Sequence, residues 1–264
     1  MGLAVVISGP RECGKRKLIQ AVRRNCPDID KRIRTIPMYN TRRPYQNEVD
    51  GELWFFRNRR EVDQLASEGK IISWLMRQGN VIGVDPQMIA EAAMEKDAIV
   101  MVRVASAIGA QLAGHPALKD TALRSVFLSP ISMIDINSFK EHGADTPDKL
   151  QAAIIEFIRT RMRPERYLTG STGRDANDAF EELCNAPFFT DILVNPEIMG
   201  GDQWLADKMP ERSEKMLNSF VAILRGEKSE LSETWPQDLL VGRSREAQIR
   251  INFRPRRFYI PECE

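Results

Sequence analysis

The stretch Gly9-Pro10-Arg11-Glu12-Cys13-Gly14-Lys15 decides the fold, because it fits the pattern GxxxxGK in the context which that pattern requires. It follows Leu3 to Ser8, an apolar run typical of a strand buried on both faces, and it precedes Lys15 to Arg24, which has a helical pattern. Glycines let backbone N–H groups turn inward around a phosphate, and the helix N-terminus adds partial positive charge. The stretch therefore predicts a phosphate loop over residues 9–16 that holds a nucleotide, with Lys15 reaching its outer phosphates.

Two residues of this loop bear on its chemistry. Arg16 stands where a Ser or Thr normally follows the lysine and holds Mg²⁺, and arginine cannot ligate a metal. Either Mg²⁺ is held by phosphates, water and another residue, or the loop binds anions without efficient catalysis. Cys13 lies near Lys15 and a helix start, which predicts a lowered thiol pKa. A small residue that fills the loop is nevertheless the simpler interpretation of Cys13 than a redox group.

Apolar strands alternate with helices along the rest of the chain, which is typical of an α/β fold with a parallel sheet and helices on both faces. Strands are predicted at 53–56, 71–75, 98–104, 124–128 and 191–194, and helices at 61–67, 87–95, 146–162 and 213–225.

Composition excludes several classes of protein. Of 264 residues, 42% are hydrophobic and 28% charged, as in an ordinary globular protein, and the net charge of +1 predicts no bulk attraction to nucleic acid or membranes. No apolar run approaches the ~20 residues of a membrane helix. Four scattered cysteines without a CxxC pair favour neither a disulfide framework nor a zinc site. The expected compartment is the reducing cytoplasm, and no protein-ligated metal is predicted.

A second group of motifs, read together with the phosphate loop, carries a resemblance to a known family. Asn40-Thr41-Arg42-Arg43-Pro44 is followed by Glu48-Val49-Asp50-Gly51 and later by Gly79-Asn80-Val81-Ile82-Gly83. In this order, these stretches resemble the guanylate kinase family. The resemblance implies a nucleoside-monophosphate-kinase-like domain over residues 1–226, with a small acceptor-binding subdomain at about 35–95 and a lid at about 132–160. Residues 227–264 form a basic C-terminal extension.

The resemblance also implies functional residues and shows where this chain departs from the family. Lys15 and Arg42 are the implied catalytic residues, and Arg42 and Glu48 match acceptor-site positions. The other acceptor-site positions carry different residue types here, namely Tyr45 for an arginine, Trp54 and Ile82 for tyrosines, and Ser73 for the glutamate that reads guanine. Two acidic positions on a strand fall at Met101 and Arg103, and two lid arginines fall at His142 and Ala153. These losses predict weak recognition of GMP.

Two arginine-rich segments lie outside these motifs. Arg159 to Arg174 holds five arginines against one glutamate, and Gly242 to Phe258 holds six against one. A solvated helix face is the simpler interpretation of the first segment, although its arginines could supply charge to the phosphate site. In the second segment, apolar and polar residues alternate over 247–253, which is typical of a half-buried strand.

Two functions of different class remain open at this stage. The first is ATP-dependent phosphoryl transfer, with or without Mg²⁺, to a small phosphorylated acceptor such as a nucleoside or sugar monophosphate. The second is a catalytically inactive domain that binds an acidic or phosphorylated protein partner through the arginine-rich segments. Binding of nucleic acid through the tail is supported only by its charge and is not expected.

Overall fold

A five-stranded parallel sheet forms the centre of the fold in the computed structural model, which describes residues 1–76, 79–161, 172–195 and 202–240. The strand order is β2-β7-β1-β8-β9 and every neighbouring pair is parallel. These strands are β1 (Leu3–Ser8), β2 (Ile33–Arg34), β7 (Ile99–Arg103), β8 (Leu123–Ser129) and β9 (Asp191–Val194). Ala4 to Ser8 are all buried, as expected for a central strand covered on both faces.

Helices connect and cover this sheet, so the α/β fold predicted from the sequence is confirmed. The α-helices are α1 (Lys15–Asn25), α2 (Pro27–Asp30), α3 (Arg59–Ser67), α4 (Pro86–Ala92), α5 (Ser106–Leu112), α6 (Met133–Glu141), α7 (Pro147–Thr160), α8 (Thr172–Leu183) and α9 (Glu211–Leu224). Short 3₁₀ helices lie at Pro116–Leu118, Ala186–Phe188 and Asp202–Leu205. None of the helices in the described ranges is both long enough and apolar enough to cross a membrane.

A second, four-stranded sheet lies between β2 and β7 in the chain. Its order is β4-β3-β6-β5, formed by β3 (Met38–Asn40), β4 (Trp54–Phe56), β5 (Ile72–Leu75) and β6 (Val81–Val84). The pair β3–β4 is parallel, and the pairs β3–β6 and β5–β6 are antiparallel. This sheet and α3 occupy most of the range 35–95 that the sequence assigns to the smaller subdomain.

The two faces of the smaller sheet pack against different cores. Ile71, Val81 and Val62 of α3 form a small separate cluster, and the ring of Tyr39 packs against it. Ile72 and Val84 belong to the main core. Because side chains alternate along a strand, one face of this sheet covers α3 and the other faces the body of the protein.

The main core extends beyond residue 226, where the sequence places the start of the extension. Trp235, Leu239 and Leu240 are buried in that core. Glu233 forms an antiparallel bridge with Ile192 of β9, and its carboxylate accepts a 2.9 Å hydrogen bond from the N–H of Met133 at the start of α6. The extension thus packs on the domain at least to Leu240, and the predicted strand at 247–253 lies outside the described residues.

Candidate functional site

The phosphate loop joins β1 to α1 as the sequence predicts, and its backbone conformation requires glycine at two positions. Gly9 has φ of 131°, and a Cβ there would lie 2.2 Å from the carbonyl oxygen of Leu128. Gly14, with φ of 89°, precedes the first residue of α1 and accepts a 2.9 Å hydrogen bond from the N–H of Leu18. Both conformations are in the region that side chains disfavour, so the glycines set the path of the loop.

Lys15 begins α1 and its ammonium group turns toward the loop. Its Nζ donates hydrogen bonds of 2.5 Å to the carbonyl oxygen of Gly9 and 2.6 Å to that of Pro10. An ammonium group has three donors, so one N–H is left for a phosphate oxygen. Arg11 and Arg16 are exposed and Glu12 is half-buried, with a φ of 66°. The loop therefore gathers three cations around one helix N-terminus, a favourable setting for an anion.

Cys13 corrects the sequence prediction. The side chain is buried completely, and this burial raises the thiol pKa to about 12 despite the nearby charge of Lys15. The sequence argument counted the helix start and the lysine but could not show that the side chain points into the core. Cys13 is therefore an inert packing residue of the loop.

Glu182 of α8 is a residue of this site that the sequence analysis missed. Burial raises the pKa of its carboxyl group to about 7, even though Lys15 and Arg11 act in the opposite direction. Asp178, one helical turn earlier, raises the pKa further, and the hydroxyl of Ser106 forms a hydrogen bond with the carboxylate. Glu182 lies far along the chain from the loop and outside any motif, so the sequence carried no signal for it.

A small polar network supports the loop from its other side. Asn195 follows β9, and its Nδ2 donates a 3.2 Å hydrogen bond to the carbonyl oxygen of Cys13. Gln203 donates to the Oδ1 of Asn195 at 3.0 Å, and Arg161 donates to its carbonyl oxygen at 3.0 Å. Arg161 therefore does not belong to a purely solvated helix face, because it reaches a residue that holds the loop.

Of the arginines between residues 159 and 174, only Arg161 has a contact near the loop among the described residues. Arg159 pairs with Glu156 on the surface of α7 at 2.8 Å. Residues 162–171 lie outside the described residues, as does the side chain of Arg174.

At the two positions where P-loop proteins support Mg²⁺, the residues beside this loop do not fit the ion. Arg16 replaces the hydroxyl that would follow Lys15, and Arg103 stands at the carboxyl end of β7, the strand beside β1. A guanidinium offers no lone pair to a cation. Across the described ranges, no group of three or more His, Cys, Asp and Glu side chains is arranged to hold a metal. At Arg16 and Arg103 the chain supplies cations where a metal would need oxygen ligands.

A second centre, formed by Arg42 and its ion pair with Glu48, lies at the smaller sheet. The Arg42 guanidinium makes two hydrogen bonds of 2.5 Å to the carboxylate of Glu48, and the N–H of Tyr45 donates to the same carboxylate at 2.8 Å. These bonds lower the pKa of Glu48 and raise that of Arg42. The guanidinium also lies 4.2 Å from the ring centroid of Tyr45, 5.1 Å from that of Phe56 and 5.9 Å from that of Trp54. The structure thus brings together four predicted residues, Arg42, Tyr45, Glu48 and Trp54.

Ser73 and Ile82 lie on opposite faces of the smaller sheet. Ser73 pairs with Gly83 and Trp74 with Ile82 across β5 and β6, and paired residues share a face. Ser73 is therefore on the face that covers α3, together with Ile71 and Leu75. Ile82 is on the other face, which also carries Trp54 and Phe56 through the pairing of Asn40. The structure places Ile82, but not Ser73, on the face of the Arg42 cluster.

The two lid positions carry no cation toward the phosphate loop. His142 ends α6, is exposed, and its Nδ1 lies 2.7 Å from the carbonyl oxygen of Ser138 in the same helix. Ala153 is half-buried on α7 and carries no polar group. That these two positions correspond to the family's lid arginines stays a prediction.

The strand–loop–helix over Leu3 to Asn25 and the parallel sheet define a P-loop α/β nucleotide-binding domain. A family model described as guanylate kinase matches residues 1–186. The guanylate kinase of Desulfitobacterium hafniense (strain Y51) is 30% identical over 171 residues, which cover 64% of this chain and 78% of the relative. That of Parasynechococcus marenigrum (strain WH8102) is 28% identical over 158 residues, covering 59% and 81%. The crystal structure of guanylate kinase from Anaplasma phagocytophilum aligns with 88% of this chain and 89% of its own, at 19% identity and a TM-score of 0.48. Because the family model spans well over half of the 264 residues, the chain belongs to the guanylate kinase family.

Proposed function

We propose that the chain binds ATP at the phosphate loop and transfers its terminal phosphoryl group to a small phosphorylated acceptor other than GMP. The observation that carries the proposal is the presence of two separate centres, each with a cationic side chain whose N–H groups can donate to phosphate oxygens. Lys15 and the N-terminus of α1 form the first, and Arg42 in its ring cluster forms the second. A transfer between two phosphorylated molecules needs one centre for each.

In the first centre, the chain holds the donor. The remaining N–H of Lys15 and the backbone N–H groups of the loop donate to phosphate oxygens and stabilise the charge that develops there. Glu182 sits beside Lys15 and Arg11, so its charge state tunes the positive potential of the loop.

In the second centre, Arg42 holds the acceptor. A guanidinium matches two phosphate oxygens as it matches the two carboxylate oxygens of Glu48. A bound phosphate monoester must share Arg42 with Glu48 or displace it. The carboxylate keeps the side chain positioned, and the rings of Tyr45 and Phe56 restrict its movement.

The reaction balances without a further reagent. An oxygen of the acceptor phosphate forms a bond to the γ-phosphorus of ATP while the bond to the β,γ-bridging oxygen breaks, and that oxygen leaves on ADP. The dianionic acceptor has no proton to lose at the attacking oxygen, so positioning and charge stabilisation are the contributions required of the protein.

Two residues argue against guanine as the acceptor base. Ser73 carries no carboxylate and lies on the far face of the smaller sheet, and Ile82 offers no hydroxyl. Removal of a buried hydrogen-bond partner costs about 1–3 kcal/mol. A nucleoside or sugar monophosphate that needs no carboxylate for recognition is therefore favoured over GMP.

A panel of acceptors tests the proposal. The full chain is incubated with γ-labelled ATP and with nucleoside monophosphates or ribose phosphates, and ADP and the doubly phosphorylated product are quantified. Arg42→Ala should lower kcat/KM about 10- to 100-fold, the value of charged hydrogen bonds to phosphate. Arg59→Ala is the matched control, because Arg59 is an exposed arginine of α3 that pairs with Asp63. Absence of transfer to every acceptor would refute the proposal.

The second candidate is a non-catalytic domain that binds a protein. The observation that favours it is the exposure of three large apolar side chains in the segment that follows Arg42, where Tyr45 is 70% exposed, Val49 58% and Leu53 56%. Exposed apolar side chains that form a continuous patch are typical of a contact surface. If this function is correct, ATP turnover is absent and Val49→Asp abolishes binding of a partner without changing the affinity for ATP.

A further inference from the structure

The residue after Lys15 is the first of two positions where this chain supplies a cation in place of an oxygen ligand. In P-loop proteins that residue is Ser or Thr, and its hydroxyl binds Mg²⁺. Arg16 is the second residue of α1 and is exposed, so its guanidinium is free to approach a phosphate held by the loop. It cannot approach a metal productively, since both are positive.

The second position is at the end of the neighbouring strand. In P-loop NTPases an acidic residue from a nearby strand supports Mg²⁺, whereas β7 ends here in Arg103. Arg103 pairs with Ile7 in the parallel register, two residues before the loop begins. The N–H of Val104 donates a 3.1 Å hydrogen bond to the carbonyl oxygen of Ile7. The hydroxyl of Ser8 donates a 3.1 Å hydrogen bond to the carbonyl oxygen of Val104. Hydrogen bonds therefore hold the backbone next to Arg103 against the strand that leads into the loop.

Both positions lie next to the loop, since Arg16 is in the first turn of α1 and Arg103 ends the strand that pairs with Ile7. Desolvation and then the charge of Arg16 lower the pKa of Arg103, and among the residues that the structure describes no carboxylate acts in the opposite direction. Within the described ranges, neither side chain has a hydrogen bond or an ion pair. Two like charges held together without an acidic partner are unfavourable, and a bound polyanion would relieve the repulsion.

We propose that Arg16 and Arg103 take the place of the divalent cation, so that the phosphate loop binds the triphosphate of ATP in its metal-free form. The inference rests on the proposed function only in that ATP is the ligand of the loop. The two guanidinium groups carry the same total charge as one Mg²⁺. They add planar donors that match phosphate oxygens in pairs, which a metal ion does not.

A consequence is that Mg²⁺ competes with the protein. Mg²⁺ bound to ATP neutralises the oxygens that the arginines would contact, and it adds a positive charge to a site that already holds Lys15, Arg16 and Arg103. Affinity for ATP should therefore be at least as high in EDTA as in excess Mg²⁺.

Calorimetric titration of ATP into the full chain tests this inference, once with EDTA and once with excess MgCl₂. We expect the Kd in EDTA to be equal to or lower than the Kd in Mg²⁺. Arg16→Ala and Arg103→Ala should each weaken metal-free binding about tenfold or more, as charged hydrogen bonds to phosphate do. Both residues are exposed, so the variants should fold, and a thermal melt checks this. Arg212→Ala, an exposed arginine of α9 without a hydrogen bond or ion pair in the described ranges, should bind as the unchanged chain does.

The double variant Arg16→Ser with Arg103→Asp provides the reverse test, because it places a hydroxyl and a carboxylate at the two positions. We expect ATP binding by this variant to become tighter when Mg²⁺ is added. ATP binding that Mg²⁺ tightens in the unchanged chain and that neither alanine variant weakens would overturn the inference while leaving the proposed function intact. Absence of ATP binding under both conditions would overturn both.

Discussion

Replacement of Glu182 by glutamine should change how the stability of the protein depends on pH. Glu182→Gln keeps the size of the side chain and can keep the hydrogen bond with Ser106, but it removes the charge beside Lys15 and Arg11. The carboxyl pKa is raised from 4.5 to about 7 in the folded protein, chiefly by burial. The folded state therefore binds more protons than the unfolded state between these values, and the free energy of unfolding falls as the pH rises through this window.

The magnitude follows from the difference between the two pKa values. A difference of about 2.5 corresponds to at most about 3 kcal/mol, at 1.36 kcal/mol for each tenfold change. The side chain is half-buried rather than fully enclosed, so water reduces this value. The glutamine variant lacks the titration, and its advantage in stability over the unchanged chain should grow from about pH 4.5 to about pH 7 and then stay constant.

Urea unfolding at a series of pH values measures this difference, because the midpoint and slope give the free energy of unfolding at each pH. Glu181→Gln is the matched control, since Glu181 is the preceding residue of α8 and is exposed. This variant shows how the stability curve responds when an exposed charge of the same helix is removed, and the effect of Glu182→Gln is read as the difference from it. Coinciding curves for the two variants would refute the reasoning, because the burial of Glu182 would then make no difference to its titration. Above pH 7, the variant should also bind ATP more tightly, since a negative charge next to Lys15 is gone.

Three further predictions concern other parts of the molecule. Cys13 should react with iodoacetamide much more slowly than the half-buried Cys26 in the native protein. Peptide mass spectrometry after labelling at mildly alkaline pH compares the two cysteines, and equal labelling would contradict the burial of Cys13. Glu48→Gln should weaken the hold on Arg42 and raise the KM for the phosphorylated acceptor with a smaller change in the KM for ATP, and an equal change in both would count against separate centres. Gly109→Ala should lower the stability by about 1–3 kcal/mol through overpacking, because a Cβ there would lie 2.5 Å from the hydroxyl of Ser8, and an unchanged melting temperature would contradict this contact.

The sequence predicted the elements that carry strong local signals. The strand Leu3 to Ser8 and the helix after Lys15 are confirmed, because an unbroken apolar run and a glycine-rich turn each restrict the backbone strongly. The helix predicted at 146–162 is confirmed over Pro147–Thr160, and the hydroxyl of Thr146 caps it by accepting from the N–H of Lys149. The helix predicted at 213–225 is confirmed over Glu211–Leu224, since its apolar face is broad.

Other parts of the site could not be predicted, because they depend on contacts between distant parts of the chain. The direction of the Cys13 side chain, and therefore its pKa, follows from packing against the core and not from neighbours in the sequence. Glu182 comes to Lys15 only through the placement of α8. Which residues of β5 and β6 share a face depends on the register between the two strands. The sequence does not show this register, so it assigned Ser73 and Ile82 to the same acceptor site.

The central claim is that the phosphate loop is a working nucleotide site, and the most direct test is the binding of ATP to the unchanged chain beside Lys15→Ala. Lys15 makes its hydrogen bonds within the loop, so loss of its side chain removes a phosphate donor without opening the core. The account predicts saturable binding of ATP that Lys15→Ala weakens about tenfold or more, and no binding of adenosine, which lacks the phosphates. Binding of ATP and adenosine with equal affinity, or binding that is independent of Lys15, would contradict it.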